Sequence, residues 1–97
     1  MPLFAMTAKD KPEGFAHRQA VRPTHLRHLD RLGNRLVFAG PFQDEEGRST
    51  GSIVVIEAGD LAEARSLLEQ DPFVREGVFA SWEISRWALT INKSAGR

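Results

Sequence analysis

"GSIVVIEAGDLAEARSLLEQDPF", Gly51 to Phe73, contains a change of period on which the fold turns. Its first part, Gly51–Ala58, is rich in β-branched residues and reads as a strand. Asp60 then stands as an N-cap, with Glu63 three residues on at the capping-box spacing. Leu61, Ala64, Leu67 and Leu68 recur at helical intervals and form one apolar stripe. A strand therefore runs into a helix, and "DPFVREG" (Asp71–Gly77) makes the turn that ends it.

Downstream, "VFASWEISRW" alternates. Val78, Ala80, Trp82 and Ile84 take one side, and Phe79, Ser81, Glu83 and Ser85 the other. Trp87 falls on the face opposite Trp82, so the two tryptophans cannot share a role. Upstream of the deciding stretch, "FQDEEGRST" is a polar connection after "RLVFAGP" (Arg35–Pro41), a strand closed by Gly40-Pro41. Phe15 to Leu32 has a helical pattern that Pro23 either kinks or restarts, and Gly33 is placed to end it as a C′ residue. "LFAMTA" (Leu3–Ala8), followed by the breakers "KDKPEG", is the first strand. Gly40 and Gly51 read as relief of backbone crowding at strand ends.

The order β-α-β-β-α-β defines an α+β, ferredoxin-like fold: a four-stranded antiparallel sheet with two helices on one face. Residues 1–97 make one domain, with a core over about 3–87 and a tail at 88–97. Strands one and three are apolar on both faces, Leu3 and Ala5 against Phe4 and Met6, Ile53 and Val55 against Val54 and Ile56. A sheet with one wet face should alternate apolar and polar residues. The helices cover one face only, so a homodimer through the other sheet face is expected.

Thirteen Lys and Arg balance thirteen Asp and Glu, and they are interspersed. Phosphate binding needs a basic excess, so no nucleic-acid partner is expected. Arg18, Arg22, Arg27, Arg31 and Arg35 read as the wet face of a helix. No apolar run approaches a membrane span, and "MPLFAMTAKDKPEG" lacks the layout of a secretory signal. The chain has no cysteine, which excludes disulfides and thiol nucleophiles and fits a cytoplasmic address.

Two histidines stand three residues apart in "VRPTHLRHLDRLG" (Val21–Gly33). At about 100° per residue, with Leu26 as origin, Leu29 lies near −60° and Leu32 near −120°. His25 falls near −100°, inside this leucine stripe, and His28 near −160°, outside it. His25 is thus expected to face inward and His28 to face solvent, while His17 is not placed. Their faces differ and no third ligand stands nearby, so no metal site is assigned. An inward histidine is either packed and hydrogen-bonded or works as a general acid or base.

"VRPTHL" (Val21–Leu26), "FAGP" (Phe38–Pro41), "TGSIVV" (Thr50–Val55) and "DPFVREGVF" (Asp71–Phe79) occur in this order on the βαββαβ plan. From Leu3 to about Arg86 the chain resembles the YciI-like family, or YCII-related domain, of the dimeric α+β barrel superfamily. The resemblance implies sheets packed back to back in a dimer and a pocket between sheet and helices. It also implies an active-site histidine–aspartate pair, which by motif position is His25 and Asp71. Superfamily relatives handle small aromatic or lactone compounds, often by acid–base chemistry without a cofactor, and no single activity is common to all. Two departures bear on the substrate: the short connection Phe42–Ser49, and a C-terminus, "ALTINKSAGR", unlike the lysine-rich ending of some members.

Asp71 before Pro72 is also good N-cap chemistry, and one carboxylate can cap while it orients an imidazole. Arg22, one turn before His25, is placed to hold an anionic substrate group or to form an ion pair. Ser52 could line the pocket, and no nucleophile elbow surrounds it. The residues and the resemblance together give an expected cofactor-independent lyase or isomerase. In it His25 carries the proton, Asp71 orients it, and Arg22 and Ser52 contact a small molecule. The alternative is a non-catalytic small-molecule binding or accessory module using the same pocket.

Overall fold

The β-branched run at the centre of the sequence becomes an inner strand, hydrogen-bonded on both sides. The computed structural model describes all residues, Met1–Arg97. Strand β1 (Leu3–Asp10) leads to helix α1 (Phe15–Arg31), a 3₁₀ turn at Gly33–Arg35, and the hairpin β2 (Leu36–Gln43) and β3 (Ser49–Glu57). Helices α2 (Leu61–Leu68) and α3 (Pro72–Arg75) precede β4 (Phe79–Trp87). The antiparallel sheet has the order β2-β3-β1-β4, so the expected ferredoxin-like α+β fold is present.

Local chemistry explains the boundaries. Asp60 Oδ1 accepts from the Glu63 N–H at 2.8 Å, and Glu63 reaches back to the Gly59 N–H at 2.9 Å. The capping reading holds, with the return bond displaced by one residue. Gly33 adopts φ +56°, a conformation open to glycine, and ends α1 as expected. α1 runs through Pro23 as one helix, neither broken nor restarted. β2 continues past Gly40-Pro41 to Gln43, because an edge strand tolerates a proline that cannot donate. Gly51 is required by crowding: a Cβ there would clash with the Ala8 carbonyl oxygen, whereas at Gly40 it would meet nothing. The crowding expectation is therefore corrected for Gly40.

The core lies between the helices and one sheet face. Phe4, Met6 and Ala8 stand beside Ile56, Val54 and Ser52 in register, all of them buried, with Phe73, Leu68, Ala64 and Leu29 packed above. A register shift opposite Lys9 and Asp10 brings Phe79 to the helix side, so that Phe79 and its neighbour Val78, just before β4, are both in the core. The expected alternation therefore fails at that end. It resumes at Ile84 and Trp82, which pair with Met6 and Ala8 on the helix side. Trp82 is at the rim, where its indole N–H donates to Glu69 at 3.1 Å. Leu61, expected in the apolar stripe of α2, is exposed.

No helix covers the other sheet face. There Phe38 and Trp87, from the two edge strands, meet edge to face with centroids 5.8 Å apart. Val55, on that same face, is fully buried. No helix of the protein is long and apolar enough to cross a membrane.

Candidate active site

The inward stripe of α1 is more polar than its leucines suggest. Its buried members are Arg18, His25, His28 and Leu29, with Leu32 just beyond the helix end. At about 100° per residue all five lie within about 60° of His25. The stripe is centred on His25 rather than on Leu29, which turns Leu26 outward and His28 inward. Leu26 is 43% exposed and His28 only 8%. The expectation that His28 faces solvent is thus corrected. So is the placement of Arg18 on the wet face, since it is 4% exposed. Arg22, Arg27 and Arg31 do face outward, and His17, which the sequence does not place, is exposed as well.

His25 enters the core edge and meets Asp71. Its Nδ1 lies 2.8 and 2.9 Å from the two carboxylate oxygens. Asp71 is 1% exposed and caps α3, its Oδ1 accepting from the Phe73 N–H at 2.9 Å. One carboxylate therefore does both jobs, with Pro72 at N1 fixing the turn. An ionised carboxylate only accepts, so Nδ1 is the donor and carries the proton. In the neutral ring Nε2 then holds the lone pair. It has no protein partner, and it is not sealed from solvent.

Phe73 sets the plane of the imidazole. The two rings are parallel within 9° at 3.9 Å, and Phe73 is itself fully buried against Phe79. The Arg18 guanidinium also lies over Phe73, 4.5 Å from its centroid. Arg18 Nη1 donates to both oxygens of Asp10, at 2.9 and 3.0 Å, and Nη2 donates to Ser52 Oγ at 2.7 Å. Arg18, Asp10 and Ser52 were not read as a group from the sequence. Contact between β1, α1 and β3 is tertiary, and only the i, i+7 spacing of Arg18 and His25 hinted at a shared face.

A cavity of about 380 Å³ opens between α1 and the β2–β3 hairpin. Arg18, Arg22, His25, Pro41, Ser52 and Phe73 are among its lining residues. Asp71 is not: it sits behind the imidazole. Arg22 is exposed at the rim and forms no ion pair. The volume lies at the lower end of the range for small-molecule pockets, about 300–1,000 Å³. His28 lies one turn beyond His25, with its Nε2 buried and unpartnered. Desolvation is the main cause that lowers its pKa, helped by His25 and Arg31 and opposed by Asp71 and the Leu67 carbonyl. No three His, Asp or Glu side chains come together in a way that could hold a metal.

The fold and this cavity define a ferredoxin-like α+β protein with a paired histidine and aspartate between sheet and helices. The chain belongs to the YCII-related domain family, whose model matches residues 2–88. An uncharacterized protein of Haemophilus influenzae is 39% identical over 85 residues, covering 79% of this chain and 87% of its own. Protein YciI of Escherichia coli is 35% identical over the same length, with the same coverage. Among solved structures, the 5-chloro-2-hydroxyhydroquinone dehydrochlorinase TftG of Burkholderia phenoliruptrix, in complex with 2,5-dihydroxybenzoquinone, superposes with a TM-score of 0.80. The two are 31% identical, with 89% of this chain and 93% of that one covered. SnoaB, a cofactor-independent oxygenase of Streptomyces nogalater, shares the fold at a TM-score of 0.55 and 15% identity, with 95% of each chain covered.

Proposed function

We propose that the protein is a cofactor-independent acid–base enzyme, of lyase or isomerase type, acting on a small hydroxylated ring. The observation that carries this reading is the two-sided environment of His25. Both oxygens of a buried carboxylate grip Nδ1, while the ring borders an open cavity with Nε2 unpartnered. That arrangement fixes the tautomer and leaves a base aimed at a bound molecule. Asp71 stabilises the imidazolium when the proton arrives, without taking it.

The ring as substrate class rests on TftG, whose identity to this chain makes the likeness more than one of fold. On a chlorinated hydroxyhydroquinone, Nε2 takes a ring hydroxyl proton and returns it to the chlorine-bearing carbon. Loss of a second hydroxyl proton then drives out chloride with the electron pair of the C–Cl bond. The elements of HCl leave and the ring reaches the quinone level, so no external oxidant is needed. Arg22 at the rim and Ser52 on the floor supply donors for the ring oxygens. The sheet face that no helix covers carries Leu3, Ala5, Ile53, Val55, Phe38 and Trp87, which supports a homodimer as the active form.

Titration with 2,5-dihydroxybenzoquinone tests the site. Wild type and His25→Asn should both bind, and Arg22→Gln should bind about tenfold more weakly through loss of one charge-assisted contact. Absence of binding to wild type would remove this ring class. Binding without turnover of any chlorinated or lactone analogue would leave a ligand-binding module.

A further inference from the structure

Ser52 is 2% exposed and lines the cavity, and its hydroxyl accepts a short hydrogen bond from Arg18 Nη2. It donates to no protein acceptor, whereas the exposed Thr24 hydroxyl donates to the Val21 carbonyl at 2.7 Å. Arg18 cannot turn away, because Asp10 holds Nη1 through both oxygens and Phe73 lies beneath its plane. A guanidinium never accepts, so the Ser52 proton cannot point towards it. With the acceptor side of Oγ occupied, the O–H must leave Oγ at roughly the tetrahedral angle from that bond.

We infer that the Asp10–Arg18 pair locks Ser52 as a hydrogen-bond donor directed into the cavity, where it binds an anionic or carbonyl oxygen of the substrate. Arg18 is then a positioning residue, acting through Ser52. The same Phe73 ring that carries Arg18 also stacks on His25. It thereby fixes the distance between the proton carrier and the donor that holds the oxygen. Charge also fits: Asp10 balances Arg18, so the donor is polarised without a second bare cation in the cavity. This inference rests on the acid–base reading of the site, and it adds how the Asp10–Arg18 pair aims the Ser52 donor at the charge developing on a ring oxygen.

Two measurements separate its failure from failure of that reading. Neutron diffraction from a deuterated, ligand-free crystal should place the Ser52 deuteron towards the cavity. A deuteron on a backbone or side-chain acceptor overturns the inference and leaves His25 and Asp71 as they were. Titration with 2,5-dihydroxybenzoquinone should show about tenfold weaker binding for Ser52→Ala, recovery in Ser52→Thr, and a loss for Arg18→Lys like that of Ser52→Ala. Unchanged affinity in Ser52→Ala, with His25→Asn inactive, also overturns it. If wild type does not bind this quinone, the ring reading falls and the deuteron alone decides.

Discussion

At the scale of single residues, Asp71 carries two structural bonds through one atom. Its Oδ1 receives both the Phe73 N–H and His25 Nδ1–H. Asp71→Ala removes a helix cap, worth about 1 kcal/mol, and leaves a buried imidazole donor unpaired, at about 1–3 kcal/mol. Urea unfolding should show a loss of about 2–4 kcal/mol. Asp71→Asn keeps an Oδ1 acceptor for both donors and should lose less than half as much; equal losses would mean that the charge, not the geometry, holds the turn. His25 and Asp71 were legible because the period placed one, and the Asp-Pro cap and the family motif placed the other. Arg18 was not. An arginine among surface arginines gives no local sign of a carboxylate eight residues back and a serine on a distant strand.

At the scale of elements, α1 buries a stripe that mixes two histidines, an arginine and one leucine. Pattern reading anchored on leucine puts its centre in the wrong place, and that displacement sent His28 outward. The buried His28 makes α1 sensitive to acid. Its folded pKa is lowered from 6.5, chiefly by desolvation, so the unfolded chain takes up this proton first. Stability from this source is complete above the unfolded value and is lost as the pH falls through 6.5 towards the depressed folded value. The slope is at most about 1.4 kcal/mol per pH unit for one proton. Denaturant midpoints between pH 7.5 and 5.5 should fall less in His28→Gln than in wild type; an identical decline would show that other groups set the acid sensitivity. The strands were read more securely than the helix stripe, since β-branched runs and capping signals are local. Their ends were not: the register shift that admits both Val78 and Phe79 depends on pairing with β1.

At the scale of the whole molecule, the two sheet faces differ in what covers them. Helices close one, and aromatic side chains from the edge strands partly close the other. Sequence patterning showed the doubly apolar strands, and the fold shows which face lacks a helix. Mass measured by light scattering should be twice the 10.8 kDa chain. Trp87→Glu should give a folded monomer, because a charge on that face costs more when it is buried between sheets; a dimer that survives both Trp87→Glu and Phe38→Glu would place the interface elsewhere. The central claim is that His25, held by Asp71, moves a proton on a hydroxylated ring in the cavity. Its most direct test is chloride release from 5-chloro-2-hydroxyhydroquinone. Wild type should accelerate release over buffer, and His25→Asn, folded and still binding 2,5-dihydroxybenzoquinone, should release chloride at the buffer rate. Equal rates for wild type and His25→Asn would contradict it.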